Sequence, residues 1–467
     1  GEGDDAARSG APAAAARPPA AAEPMQTPAN ARWPRGKRWW ASAAALLAGV
    51  IGFAAGALGW RAAIAPIVRP DVSIYTAATL ERGRQLATVG NCIGCHTAPD
   101  GPVNAGGRAL ETPFGTIHTT NITPDPDTGI GAWSLAAFQR AMREGIARDG
   151  RHLYPAFPYP SYTRTSDEDL TALYAWLMSQ PPVRNEVAAT KLAFPWGIRP
   201  LMALWNALFL VPGTAPADPA RTAQWNRGEY LVNGLGHCGA CHTERNVLGA
   251  ERTGTDWLGG AMVDGWEAPS LTASSRAPVP WTEDEFFQYL RTGVSRLHGT
   301  AAGPMAPVIT TLLDLPDEDV RAMAHYLASF QPPIEATQAD AIAQQAVHTA
   351  RSASAPPSEA ARMFETACAA CHHDGDGPQV LGANVPLALN SNLHSERPDN
   401  LVRVILEGVR EPATREIGFM AGFADALDDR QVAALVTWMR QRYAPDKPAW
   451  NGLDAVIARI RARPTVY

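Results

Sequence analysis

Apolar residues along the chain fall into two patterns: one unbroken run near the start, and a recurring series of short amphipathic segments. The run covers residues 39–60 and holds no charge. At 1.5 Å per residue a helix of that length spans roughly 30 Å, enough to cross a bilayer. Trp39, Trp40 and Trp60 flank it where interfacial aromatics belong, and Arg32, Arg35, Lys37 and Arg38 precede it. A retained transmembrane anchor is expected; the competing reading, a cleaved signal peptide, fits a shorter apolar segment. The basic flank predicts residues 1–38 as a disordered cytoplasmic tail and everything after the anchor as periplasmic. That tail is rich in Ala, Pro, Gly and Ser and has almost nothing to bury.

From about residue 74 the amphipathic segments repeat. One set lies at 133–145, 281–293 and 398–408, with Ser134 and Thr282 as expected N-caps and Gly145, Gly293 and Gly408 as C-terminal stops. A second set at 167–178, 317–328 and 428–439 opens on acidic residues and carries apolar residues at helical spacing, as in Leu170, Leu173, Tyr174 and Leu177. β-Branched alternation is scarce. The expected fold is all-α: three tandem domains at 74–183, 221–331 and 358–445, behind the N-terminal helix. A linker at 184–220, a Pro/Ala/Gln-rich linker at 332–357 and a tail at 446–467 join and close them, the tail with one helix expected at 453–460. Residues 192–211 are strongly apolar but broken by Pro195, Arg199 and Pro200. They read either as interdomain packing or as an interfacial helix resting on a membrane.

Each repeat carries one further signature. Cys92-Ile93-Gly94-Cys95-His96, Cys238-Gly239-Ala240-Cys241-His242 and Cys368-Ala369-Ala370-Cys371-His372 consume all six cysteines. Cys-x-x-Cys-His is the attachment pattern of haem c: each thiol adds to a vinyl group, and the adjacent His binds iron from one face. A zinc half-site or a redox pair would account for one copy, but three copies with no cysteine left over point to three covalent haems. His96, His242 and His372 are then the proximal ligands. Met305 and Met420 lie in Gly/Pro-flanked loops, each twelve residues past the glycine that ends the preceding helix, and are expected as distal ligands. The bland alternative is that they fill core gaps. The same count from Gly145 reaches Phe157, which cannot bind iron. The sixth position of the first haem is therefore open beneath Phe157, or is filled by His152 or His118. Asp125-Pro126-Asp127-Thr128-Gly129 lacks the spacing of a calcium loop and reads as a turn. A net charge of −6 disfavours nucleic acid as a partner.

The segments Thr112-Pro113-Phe114-Gly115-Thr116-Ile117, Thr120-Asn121-Ile122-Thr123-Pro124-Asp125 and His152-Leu153-Tyr154-Pro155 resemble the three-haem cytochrome c subunits of membrane-bound periplasmic dehydrogenases. The likeness extends over nearly all of residues 74–445. It implies an electron-transfer chain with no substrate site of its own, passing electrons from a catalytic partner to ubiquinone. Phe157 and the stretch Phe194-Pro195-Trp196-Gly197-Ile198-Arg199-Pro200-Leu201 are similar to the branch serving molybdopterin enzymes. That branch implies a large catalytic subunit and a small [2Fe–2S] subunit oxidising aldehydes or N-heteroaromatics. The alternative branch serves quinoprotein alcohol or flavin sugar dehydrogenases. A self-sufficient haem peroxidase, working at an open first haem, is the rival from another class.

Overall fold

The structure, a computed structural model, describes residues 35–353, 357–373 and 377–465. Most of the expected tail 1–38 lies outside them. The chain divides into two units, residues 1–53 and 54–467. In the first, the described part belongs to the helix Arg35–Gly59, which covers nearly all of the apolar run. Among the described residues no helix is long and apolar enough to cross a membrane.

The second unit holds the repeats. The first is built on helices Ala77–Val89, Leu135–Glu144 and Asp167–Ser179, and the second on Ala223–Asn233, Glu283–Thr292 and Asp317–Ala328. The third has Glu359–Ala367, Asp399–Glu407 and Asp429–Tyr443. The expected caps are in place: Ser134 and Thr282 accept from the amides of Ala137 and Glu285, and Gly145 and Gly293 take left-handed φ of 65° and 74°. In each of the first two repeats the opening and closing helices cross at a glycine. A Cβ on Gly83 would lie 2.0 Å from the Ala172 carbonyl oxygen, and one on Gly228 2.0 Å from that of Ala322. Only hydrogen fits there, so the helices meet backbone to backbone.

Each of these two repeats is closed by its own ion pair, and the pairs lie side by side, with Arg82 also 4.0 Å from Asp319. Arg82 grips Asp169 through two bonds of 2.9 Å, and Arg227 grips Asp319 at 2.7 and 2.8 Å. The Tyr230 hydroxyl donates across the repeats to Asp169 at 2.7 Å. One continuous core follows, with Leu86, Phe138 and Leu173 joining Leu231, Phe286 and Met323. The third repeat has its own core around Phe364, Leu393, Val432 and Leu435.

Two expectations need amendment. The fold is helix-rich but not all-α: short hairpins pair Ala109–Thr112 with Gly115–His118, Ala261–Val263 with Trp266–Ala268, and Val294–Ser295 with Gly299–Thr300. These strands are too short to show alternation in the sequence. The linker 332–357 contains a 17-residue helix, Ala336–Ser352, closed by a Glu335/Gln338 capping box. Its Ala339 and Ala343 pack with Leu297 and Leu389, tying the second repeat to the third. The helix expected in the tail is present as Leu453–Ala462, and its Ile457 and Ile460 complete the third core.

Candidate haem sites

The attachment turns are one-turn helices, Cys92–His96 and Gly239–His242, each set by the preceding helix end. In the first, Asn91 takes φ 47° and reverses the chain before Cys92. In both, the residue after His pairs with a glycine strand, Thr97 with Gly106 and Thr243 with Gly260. The His96 carbonyl accepts from the Gly106 amide at 2.7 Å, and that of His242 from Gly260 at 2.8 Å. The imidazoles are anchored alike. His96 Nδ1 lies 2.6 Å from the Thr120 carbonyl oxygen, and His242 Nδ1 2.7 Å from that of Pro269. A carbonyl only accepts, so Nδ1 carries the proton and the Nε2 lone pair is left for a metal. Burial lowers the pKa of His96, His242 and His372, keeping them neutral as ligands must be. Among the described residues His372 has no such carbonyl partner, although its turn is closed by its own amide donating to Cys368 at 2.9 Å.

No disulfide joins any of the six cysteines. Burial pushes Cys92 and Cys238 up to about 12 and Cys241 to about 11. A redox Cys-x-x-Cys pair needs the opposite shift. Among the described residues no three His, Cys, Asp or Glu side chains converge as a metal-ion site. The Asp125 carboxylate instead accepts from the amides of Asp127 and Thr128, forming a turn. Two thiols beside one imidazole with a free Nε2 fit a covalently held haem.

On the opposite side, the loops of the first two repeats are built alike. Leu153 donates to the Gly145 carbonyl at 2.7 Å, and Ala301 to Gly293 at 2.7 Å. Ile146 pairs with His152 as Val294 pairs with Thr300. Phe157 therefore occupies the place of Met305, and both are half-buried against the shared core. The third loop has the same count but a different build. Met305 begins the helix Met305–Leu312, whereas Met420 exchanges both backbone bonds with Val409. The intervening residues lean on the second repeat: Ile417 packs with Ala301, Ile309 and Met305, and the Thr414 hydroxyl donates to the Thr292 carbonyl.

The two histidine candidates are placed otherwise. His152 is buried, with Nε2 3.1 Å from the Gly59 carbonyl oxygen and Nδ1 without a hydrogen-bond partner. His118 lies in the strand Gly115–His118, two residues before Thr120, whose carbonyl holds His96, and its buried Nδ1 has no hydrogen-bond partner among the described residues. Sequence reasoning gives His237 no role. It lies between the first two attachment turns, 3.4 Å from the Gly90 carbonyl oxygen through Nε2 and edge-on to Tyr162 at 5.7 Å. A Cβ on Gly90 would lie 3.5 Å from Cys92 Sγ and 3.6 Å from Leu235, so the two turns are neighbours. A His directly before the motif was the available signal.

Residues 80–181 match the cytochrome c family profile, and residues 355–439 match the profile described as cytochrome c oxidase, cbb3-type, subunit III. A nicotinate dehydrogenase subunit from Pseudomonas putida is 55% identical over 437 residues, which is 94% of this chain and 36% of that relative. The chain thus spans about a third of that protein's length. The fructose dehydrogenase cytochrome subunit of Gluconobacter japonicus is 35% identical, covering 82% of this chain and 83% of the relative. The gluconate 2-dehydrogenase cytochrome c subunit of Pantoea cypripedii is 38% identical, covering 81% and 88%. Similarity over four fifths or more of both chains, with the haem-attachment turns in place, means that the chain belongs to the family of cytochrome c subunits of dehydrogenase complexes and is an electron-transfer subunit.

Proposed function

We propose that the chain holds three covalent haem c groups and carries electrons from a molybdopterin/[2Fe–2S] dehydrogenase partner to ubiquinone. Bound haem supplies one-electron chemistry at iron; the chain fixes geometry, ligation and access. Cys92 and Cys95, Cys238 and Cys241, and Cys368 and Cys371 provide the thioether links. His96, His242 and His372 bind iron through Nε2, and Met305 and Met420 close the second and third sites. The first site is open beneath Phe157, a reading supported by the bond that engages His152 with Gly59; His118 is the alternative ligand. The observation that carries this reading is the matched pair of imidazole anchors, His96 to Thr120 and His242 to Pro269.

Contacts between repeats support a linear relay. The first and second attachment turns are neighbours at His237, and the second and third distal loops pack through Ile417. The second haem is thus the middle station. The two tyrosine hydroxyls next to Phe157 are already engaged, Tyr159 with Asn206 and Tyr162 with the Gly90 carbonyl, so neither is available to assist bond cleavage at the first iron. That favours electron transfer over the peroxidase alternative.

The charge-free run 39–60 with its basic flank supports single-pass anchoring in the bacterial inner membrane, with the haem repeats periplasmic. The similarity to the nicotinate dehydrogenase chain supports a large catalytic subunit and a small iron–sulfur subunit, with an N-heteroaromatic or aldehyde as substrate. Similarity to the fructose and gluconate enzymes' cytochrome subunits keeps a flavin sugar or quinoprotein alcohol dehydrogenase as the second reading. Cofactor analysis of the native complex separates them. Three haems per chain with molybdenum, and ubiquinone reduction driven by nicotinate, are expected. Flavin or pyrroloquinoline quinone without molybdenum would overturn the first reading in favour of the second.

A further inference from the structure

The helix Leu201–Phe209 is apolar on both faces. Met202, Ala203 and Trp205 are buried against Tyr159 of the first distal loop. The opposite face is bare: Leu208 is 69% exposed, and Val211, just past the helix, 85%. Phe194 and Ile198, ahead of the helix, are 86% and 42% exposed. The only charge in residues 192–211 is Arg199, and it is turned inward, donating to the His152 carbonyl at 2.7 Å and lying 4.5 Å above the Tyr154 ring. An apolar, uncharged outer face of this kind on a folded chain marks a contact surface.

Its position indicates what covers it. Gly59, where the anchor helix ends, abuts Pro200, the residue that starts Leu201–Phe209; a Cβ on Gly59 would lie 3.3 Å from it. Trp60 follows at 75% exposure. The bare face therefore begins where the chain leaves the apolar run. We propose that Trp60, Phe194, Ile198, Leu208 and Val211 rest in the headgroup–acyl boundary of the membrane that residues 39–60 cross, holding the first repeat at the bilayer surface. This rests on reading 39–60 as an anchor. The same helix is bonded to the first distal loop through Asn206, whose Oδ1 accepts from Tyr159 at 2.6 Å and whose Nδ2 donates to the Glu144 carbonyl at 3.0 Å. The first haem site is thus the one fixed next to lipid.

The test uses the full chain in its native complex, reconstituted into vesicles of phospholipids with a photoactivatable diazirine in the acyl chain, with labelled peptides read by mass spectrometry. Val247, 89% exposed but flanked by Arg245 and Glu251, is the control. Labelling of 194–211 about tenfold above the Val247 peptide is expected, together with labelling of 39–60. Labelling of 39–60 without 194–211 would overturn this proposal and leave the anchor standing. Labelling of 194–211 without 39–60 would uphold the face and overturn the anchor. Labelling of 194–211 in the isolated chain but not in the complex would overturn the proposal in favour of a protein partner.

Discussion

In the first repeat Gly145 ends its helix, Leu153 bonds back to it, and four residues on the chain presents Phe157; in the second, Gly293 and Ala301 do the same and the chain presents Met305. The backbone is shared, so the difference lies in the side chain and in what surrounds it. Met305 starts a helix and packs with Ile309 and Ile417. Phe157 leads into an aromatic cluster, 5.4 Å from Tyr162 and 6.2 Å from Tyr159, which continues to Trp205. One loop is built to place a thioether, the other to place a ring that shields. A fold can thus keep its haem-binding frame and change ligation at one position, provided that neighbouring elements support the replacement.

The shared frame is the first thing to break. Gly83→Ala and Gly228→Ala each force a methyl into a carbonyl, costing ~3 kcal/mol by overpacking. The gain in helix propensity, ~1 kcal/mol, does not offset this. Thermal melting of the haem-loaded protein should drop by similar amounts in both variants; a drop in one alone would mean that the repeats are not built alike.

Exchanging the two side chains sharpens the difference. Met305→Phe should lower the second haem's potential by on the order of 0.1 V, within the ~0.8 V range that axial ligands command. It should also remove that haem's sulfur-to-iron charge-transfer absorption. Phe157→Met should raise the first haem's potential and add the band. Redox titration reads both; unchanged potentials in both would return Met305 to the core.

A third contrast concerns pH. His298 in the second repeat is buried, stacked on Trp281 at 3.7 Å, and bonded to Ser295 and the Val279 carbonyl; the matching position in the first repeat is Gly150. Burial lowers its pKa to about 4. The folded state resists protonation that the unfolded chain accepts near pH 6.5, so stability is full above that pH and falls as pH drops toward 4. The slope from this one group is about 1.4 kcal/mol per pH unit. His298→Gln should flatten the melting temperature against pH between 6.5 and 4, and an unchanged slope would assign the acid lability elsewhere.

Tyr159→Phe is the gentlest change. It removes one bond to Asn206, worth ~1 kcal/mol. Faster hydrogen exchange is expected in residues 201–209 and not in 305–312; equal change in both would contradict the coupling of helix to loop.

Much of this frame was legible before the structure. Glycine stops and Ser or Thr caps act locally, so the recurring helices could be placed to within a few residues. Three Cys-x-x-Cys-His motifs fix chemistry through residue type alone. The count of twelve from each glycine found Phe157 and Met305 because those two loops share the bond back to the glycine and the bridge beside it. It also reached Met420, but through a bridge to Val409 that no count could distinguish from a helix start. The anchors at Thr120 and Pro269 were invisible because they are backbone carbonyls, blind to side-chain identity. His152 looked free to reach iron; its bond to Gly59 joins positions 93 residues apart, which no local pattern encodes. The helix Ala336–Ser352 was hidden by a composition that suits linkers and helices equally.

The central claim is that one haem of three differs in ligation because Phe157 stands where Met305 stands. Electron paramagnetic resonance of the fully oxidised, unmodified protein tests it most directly. The account predicts two low-spin His/Met signals and one high-spin signal from the first haem, with Phe157→Met converting the latter to low-spin. Three His/Met signals in the unmodified protein would contradict it, and a bis-histidine signal would show that His152 or His118 leaves its place in this structure to reach the iron.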